Sequence, residues 1–511
     1  MYGAIAAGIV SGLLLTLGAP PFSAPLLSFA AFAPLAYLVS VESSHKKLFY
    51  AGFVAGALEG GVVAYYIFRD FAWPNDAPLV LAFIHWSFVF WALGLGCALG
   101  LLCIAYQKLR GNSVLYNAAI FASLYCVLEE SLQLATGHYY IPALAYTVAY
   151  SPLAMSISSL GGELLVSWCI AFISALIGEF AAAPAARKKY VALQALGIVA
   201  AAALVYIGNE YYLSPGTPTT PLTVATIQTG SRQDDFAHDY NGSLSFPALA
   251  SKLNNIAASS TDLIIYPLAV VNEVLYTEAP PAHGYGTLAF LPRTTLESWM
   301  RSNAPASTTI LTWDITYQNG EYRQNYDFWQ SGSLIGTYSK RHPYAFMEYT
   351  PSFAHFGFGP TPAPISPGSG SGLTTLPSGI VASNLQCSEV HLSTLARTDA
   401  MSAQVFLDAG FEWVLPGDVG EEYSLEAAQY RAAENNIPAV RAVIEGPSAI
   451  IDARGKIIDE TSFGEATVLK GTLAVPTQHR RTLYSLMGDY PLYGALIAVL
   501  AAAAYFRRRR R

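Results

Sequence analysis

Charged side chains are scarce in this sequence: they make up 12% of its 511 residues, about half the share of an ordinary soluble chain. That scarcity excludes a typical cytosolic enzyme, and the richness in apolar residues excludes a disordered polypeptide. Basic residues are outnumbered by acidic ones, 28 against 35, so no nucleic-acid partner is expected. Cysteine is rare, with five residues in all, which excludes a disulfide-stapled secreted scaffold. No His/Cys cluster has zinc spacing, and no metal or cofactor is expected. The Gly-Ser run at 368–372 is not a G-x-S-x-G nucleophile elbow, because its third residue is Gly370.

What is present is hydrophobic sequence, 53% of the chain, and it is unevenly placed. Residues 1–213 hold 8 of the 28 Lys and Arg and 9 of the 35 Asp and Glu, whereas residues 214–490 hold 15 basic and 26 acidic residues. The last 21 residues are apolar and then end in Arg507 to Arg511. The natural parse is a membrane domain at 1–213, a soluble domain at 214–490 and a final span with a basic tail at 491–511. A spanning helix needs roughly 20 mostly apolar residues. Seven candidates precede residue 214, at about 2–18, 24–41, 48–67, 78–105, 115–136, 153–182 and 190–213, and an eighth runs over 491–506. The first has no basic n-region and is followed at once by further spans, so it reads as a span rather than a cleaved signal.

Alternate loops carry Lys46 and Lys47, then Lys108 and Arg110, then Arg187, Lys188 and Lys189, and finally Arg507 to Arg511. The opposite short loops carry only Arg69. The positive-inside rule therefore expects both termini in the cytoplasm and residues 214–490 outside. Glu59, Glu129, Glu130 and Glu163 interrupt the apolar stretches. They are read as facing polar pockets or span ends, and no role is assigned to them.

From residue 222 the pattern changes to short β-rich runs: LTVATIQ, DLIIYPL, STTILTWDITY, GSLIGTYSK, GIVASNLQCSE, QVFLDAG, AVRAVIEGPSAIIDARGKIID and ATVLKGTL. Helical patterns lie at 245–258, 294–302 and 423–436, so an α/β domain is expected. GPSAIIDARGKIIDE reads as a hairpin turning at Arg454-Gly455. The stretch 350–376 is rich in Pro, Gly and Ser and reads as a loop. Its Phe353, Phe356 and Phe358 could touch acyl chains or pack on the domain.

Four cysteines, Cys97, Cys103, Cys126 and Cys169, fall in apolar spans and read as packing residues. Cys387 is the one cysteine of the soluble domain, and it follows a strand-like run, where α/β folds present reactive groups. Inert burial is the competing reading. Lys340 follows another strand and stands near Glu348, which fits a surface ion pair as well as chemistry. His391 lies four residues after Cys387, so a helix would set the two on one face.

Together these parts resemble the bacterial apolipoprotein N-acyltransferases, whose outward domain belongs to the nitrilase superfamily. The resemblance is carried by GLLLTLGAPPFSAPLLSFAAFAPLAYL at the N-terminus, TGHYYIPALAY at 136–146, YSKRHPYAFMEYTP around Lys340, and AAQYRAAENNIPAVRAVIEGPSAIIDARGKII near the C-terminus. It implies an α-helical transmembrane bundle of eight spans plus an extracytoplasmic α/β nitrilase-like domain, an α-β-β-α sandwich. It also implies Cys387 as nucleophile, Lys340 as the catalytic lysine, and Glu348 and Glu389 as supporting acids. The family's general base is a Glu directly after a Pro. Here LIIYPLAVVNE puts Leu268 after Pro267, and Glu273 is the nearest acid downstream. Ser388 stands where a Tyr usually separates Cys and Glu, and DAGFEW at 408–413 lacks the usual Asn-Asp.

The chemistry explains why each part is needed. A thiol with a pKa of about 8.5 requires a base or a neighbouring cation to act as a nucleophile at neutral pH. Lys340 would supply the cation and then hold the oxyanion. The Glu would move the proton. The resemblance implies transfer of a fatty acyl group from a phospholipid donor, through a Cys thioester, to the N-terminal diacylglyceryl-cysteine of a lipoprotein. It places the chain in the bacterial inner membrane, as a monomer. The alternatives are a catalytically impaired relative that binds lipid or lipoprotein, and a membrane-bound nitrilase-type amidase.

Overall fold

The computed structural model describes residues 1–68, 78–135, 143–213, 218–228, 255–256, 260–267, 273–277, 289–345, 348–349, 352, 364–410, 418–478 and 480–509. They form two compact units: Met1–Ser214 with Leu415–Glu426 and Thr482–Arg511, and Pro215–Val414 with Ala427–Arg481. Leu268, Phe353, Phe356, Phe358, most of the helical pattern at 245–258 and the aromatic pair Phe411 and Trp413 lie outside the described residues.

The first unit is helical: α1 (Tyr2–Gly18), α2 (Pro25–Ser28), α3 (Ala33–Val41), α4 (His45–Phe68), α5 (Pro78–Leu109), α6 (Val114–Ala135), α7 (Pro152–Ala182), α8 (Ala185–Leu213) and a closing helix Tyr490–Arg509. Among the described residues, five stretches are long and apolar enough to cross a membrane: His45–Tyr66, Trp91–Leu109, Pro152–Ala182, Ala185–Leu213 and Tyr490–Arg507. The expected helix at 24–41 is broken in two. Pro34 lies in the first turn of α3, and proline lacks the N–H and the space to continue a helix through it. The amide freed at Phe32 donates instead to Ser174 Oγ at 2.7 Å.

Glycines set the closest approach in this unit. Gly52, Gly56 and Gly60 recur every four residues, on one face of α4. A Cβ there would lie 2.4, 2.4 and 2.5 Å from the carbonyl oxygens of Leu99, Leu95 and Trp91 on α5. Only glycine permits that backbone contact, the small-residue seam typical of helices packed in lipid. Glu179 is a buried acid that the sequence reading did not single out. It accepts from Ser40 Oγ at 2.8 Å, Tyr106 Oη at 2.6 Å, Asn117 Nδ2 at 2.9 Å and Arg110 at 3.0 Å. One carboxylate thus ties α3, α5, α6 and α7 together, with its acceptor capacity satisfied.

The second unit is two stacked sheets. The first holds β1 (Thr219–Gln228), β2 (Leu263–Tyr266), β3 (Glu273–Tyr276), β4 (Ala289–Pro292), β5 (Thr309–Gln318), β6 (Glu321–Gln330), β7 (Ser333–Ser339) and β14 (Thr467–Pro476). The second runs β13 (Ile457–Glu460), β12 (Ala449–Ile451), β11 (Ala439–Val443), β10 (Val405–Gly410), β9 (Val381–Gln386) and β8 (Leu373–Thr375). Leu222, Val224, Leu263 and Leu311 of the first meet Ala382, Val405, Leu407 and Val440 of the second in one apolar core. The outer face of the first sheet, with Ile264, Ile310 and Trp329, is covered by Leu296 and Met300 of the helix Arg293–Asn303. In the second sheet β9, β10 and β11 are parallel, so their helical crossovers must lie on its free face. The result is an α-β-β-α arrangement.

The hairpin at Arg454-Gly455 is present, with Gly455 at φ 76° and β12 antiparallel to β13. Two expectations are corrected. The loop expected at 350–376 ends in a strand, since Leu373–Thr375 pairs with β9. The sequence reading also passed over β6, EYRQNYDFWQ, because it reads as polar. Its polar groups are buried but paired: Asp327 with Arg293 and Thr337, and Asn325 with Thr316 and Ser339.

Candidate active site

Three strands bring the chemistry to one edge. Tyr266 pairs with Thr312, Thr312 with Asp327, and Asp327 with Thr337, so these four residues form one row across β2, β5, β6 and β7. The strands β2, β5 and β7 run the same way. The chain beyond Tyr266, where Pro267 stands, therefore leaves the sheet at the edge from which Lys340 emerges three residues past Thr337. β3 then rejoins the same side of β5 at Thr316 and Tyr317. Glu273 opens β3 by its backbone; its side chain lies outside the described residues.

Lys340 is 1% exposed. This corrects the surface ion-pair reading: its ammonium donates to Glu348 Oε1 at 2.7 Å inside the domain. The other oxygen of Glu348 accepts the amide of Tyr344. The backbone around the lysine is pinned on both sides, its N–H donating to Gln324 O at 2.8 Å and its carbonyl accepting from Gly368 N at 2.7 Å. Burial works against the ammonium, but Glu348, Cys387 and Glu389 outweigh it, so the Lys340 pKa rises above the ordinary lysine value. It stays a cation, which suits charge stabilisation and rules it out as a proton acceptor at neutral pH.

Cys387 ends β9 and opens a 3-10 turn, Cys387–His391. It is half-buried, and its φ of 54° is in the left-handed region that non-glycine residues rarely adopt. Such backbone strain clusters at functional sites. Across from it, a Cβ on Gly410 at the end of β10 would lie 2.9 Å from Cys387 Cβ and 3.4 Å from its Sγ. The thiol has room because position 410 has no side chain. The turn is 3-10 rather than α-helical, so the four-residue spacing of Cys387 and His391 does not of itself put them on one face. In a 3-10 turn the residues three apart are in line, not four, and the backbone carbonyl of His391 accepts from Arg431.

Glu389 joins the two halves. It is 0% exposed. Its Oε1 accepts from the amides of Arg341 and His342 at 2.8 and 2.9 Å; its Oε2 accepts from Tyr338 Oη at 2.6 Å and Gln386 N at 2.9 Å. The lysine segment and the cysteine turn are therefore bolted to one carboxylate. Burial pushes its pKa above the usual carboxylate value, with Lys340 opposing. Arg341 adds a second brace through a two-pronged pair with Asp399 at 3.0 and 2.6 Å. Sequence reading missed Tyr338, Tyr326 and Gly410. Tyr326 hydrogen-bonds the amide of Ala409 at 2.7 Å and the carbonyl of Leu385 at 3.3 Å, linking the first sheet to the ends of β10 and β9. Tyr338 stands two residues before Lys340 on β7, a signal available from period-two spacing, whereas Tyr326 lies opposite it on β6, whose polar composition hid it.

A buried cation, a strained strand-end thiol and a shared carboxylate stand together on stacked sheets, in a chain that also carries apolar helices of membrane-spanning length. The carbon-nitrogen hydrolase family matches residues 288–478. The N-terminal domain of apolipoprotein N-acyltransferase matches residues 11–176. The chain resembles the apolipoprotein N-acyltransferases over most of its length. Proteins of that name from Caulobacter vibrioides and Agrobacterium fabrum are each 26% identical to it, covering 95% and 99% of this chain and 91% and 96% of theirs. One from Geobacter metallireducens is 25% identical over 98% of this chain and 95% of its own. Among solved structures, Saccharomyces cerevisiae Nit3, of the nitrilase superfamily, is similar at 16% identity, with a TM-score of 0.37, over 55% of this chain and 97% of its own.

Proposed function

We propose that this chain moves a fatty acyl group from a phospholipid of the outer leaflet to the α-amine of a lipoprotein's diacylglyceryl-cysteine. The observation that carries the reading is the sealed Lys340 ammonium, held by Glu348 and within electrostatic reach of Cys387 and Glu389. The Cys387 thiolate attacks the ester carbonyl, and Lys340 stabilises the oxyanion. The carbon–oxygen bond breaks, the lysophospholipid oxygen takes a proton, and a thioester remains. The amine then attacks the thioester, an amide forms, and the thiol is regained. Glu273 is assigned as the base that takes the thiol proton and returns it to the leaving oxygen. The shared edge of Pro267 and Lys340, to which β3 returns the chain, supports that assignment. Eight spans, both termini in the bacterial cytoplasm, the α/β domain outside the inner membrane and a monomeric state complete the proposal, supported by the one-sided Lys and Arg loops.

The test uses membranes holding the full chain and a phospholipid radiolabelled in its acyl group. Label should appear on Cys387, be released by hydroxylamine, and be absent from Cys387→Ala; an unlabelled wild-type protein defeats the proposal. Leu268 in place of the expected Glu favours a second reading, a lipid- or lipoprotein-binding relative without turnover. That reading gains if the chain retains a synthetic diacylglyceryl peptide but acquires no label.

A further inference from the structure

The first unit contains a cavity of about 420 Å³ enclosed by the α1–α2 turn, the 3-10 turn Leu144–Val148, α7 and Glu426. Sites that hold small ligands run from about 300 to 1,000 Å³, so this one is large enough for an occupant. Pro25, Val148, Leu153 and Ile170 contribute to an almost wholly apolar lining. The rim is apolar too: Leu26, Tyr150, Leu153 and Ile173 line the cavity and are exposed, Leu26 at 81%. Leu153 and Ile173 belong to α7, which is long and apolar enough to cross a membrane, and an apolar rim there suits hydrocarbon better than water. The wall is fixed, since the 3-10 turn is held by Leu144 N donating to Glu129 at 3.1 Å and Ala145 N donating to Ser167 at 3.0 Å.

Ser23, Thr147 and Ser151 add small hydroxyls to the lining, and Glu426 is its one ionisable carboxyl. Glu426 is 2% exposed, lines the cavity, and has a buried Oε2 with no hydrogen-bond partner. Burial, with Glu422 adding to it, pushes its carboxyl well above the usual range. Held neutral, the carboxyl is a donor in search of an acceptor, and a buried group left so is costly.

We infer that this cavity seats one acyl chain of an ester-linked glycerolipid, with Glu426 donating a hydrogen bond to the ester carbonyl. The chain enters sideways through the apolar rim, and the site holds whether or not Cys387 turns over. The same chemistry is offered by a phospholipid and by the diacylglyceryl group of a lipopeptide.

The experiment uses the full chain in nanodiscs of phosphatidylethanolamine and phosphatidylglycerol. They are doped with a phosphatidylethanolamine carrying a diazirine in its acyl chain, or with a synthetic diacylglyceryl-cysteine peptide carrying the same group. After irradiation, adducts should concentrate in peptides covering residues 144–157 and 166–173. Filling the cavity with Ile170→Trp, or with Ala154→Phe should the first variant fail to fold, should cut that label at least fivefold. Label on the outer face of α8 should be unchanged in the same sample. The lipid giving the greater variant-sensitive label is the occupant. An ether-linked phospholipid should label the cavity severalfold less than its ester counterpart, and Glu426→Leu should erase that difference. Cys387→Ala should label like the wild type, which separates this proposal from acyl transfer. Label no denser at the cavity than on α8, or untouched by the filling variants, overturns the inference; equal ester and ether labelling overturns the role of Glu426.

Discussion

Replacing Glu389 by Gln keeps the shape of the side chain and removes its charge and one acceptor. The cost follows from the four donors. If the new amide nitrogen takes the Oε1 position, it faces the N–H groups of Arg341 and His342: His342 loses this acceptor and Arg341 keeps only the Tyr338 hydroxyl at 3.4 Å. If it takes the Oε2 position, the Tyr338 hydroxyl can rotate to accept, but Gln386 N–H is orphaned. The second arrangement costs less, at about 1–3 kcal/mol for one stranded amide. Weakening the remaining charge-assisted bonds adds about 1 kcal/mol. A total near 2–4 kcal/mol corresponds to a fall of about 5–15 °C in the melting temperature for a domain of this size. Thermal unfolding of the detergent-solubilised protein measures that. The same protein, treated with a maleimide at neutral pH, should lose Cys387 labelling rate at least fivefold, because the turn and the lysine segment are no longer held together. An unshifted melting temperature together with wild-type labelling would refute the bolt assigned to Glu389.

Gly410→Ala should slow acylation of Cys387 by ten- to a hundredfold, because a Cβ 2.9 Å from that of Cys387 must displace the thiol; the rate of phospholipid-dependent labelling checks it. Glu273→Gln should cost at least tenfold in the same assay if that residue moves the proton, and a wild-type rate would discard it as base. Asp314 is buried beside Asp327, with one oxygen unpartnered, and its pKa is raised to about 7. An acid whose folded pKa is raised favours the protonated fold, so stability is lost as pH climbs from about 4 through 7. Asp314→Asn should therefore gain roughly 1–3 kcal/mol at pH 8 and little at pH 4, seen as a melting temperature that falls less steeply across that range than the wild type's.

The layered fold was legible where burial and pattern agreed. LTVATIQ, QVFLDAG and AVRAV are buried strands written in β-branched and aliphatic residues, and they appear where the sequence placed them. β6 was illegible because burial of its Asp and Asn depends on partners from a helix and from neighbouring strands, which local composition does not show. The site divides in the same way. Lys340, Glu348 and Glu389 could be named from one segment and one turn, but their roles depend on non-local contacts. Whether Lys340 was a surface charge or a sealed one was set by Gln324 and Gly368, 16 and 28 residues away. Gly410 carried no signal at all, since its importance is the absence of an atom opposite a residue on another strand.

The enclosure of Lys340 has an electrical consequence. Mobile ions screen a charge only where they can approach it, and at 0.15 M salt that screening acts over about 8 Å of water. An ammonium walled in by protein and answered by Glu348 at 2.7 Å keeps most of its field at any salinity. The proposed chemical step should therefore run at nearly the same speed in dilute and concentrated brine.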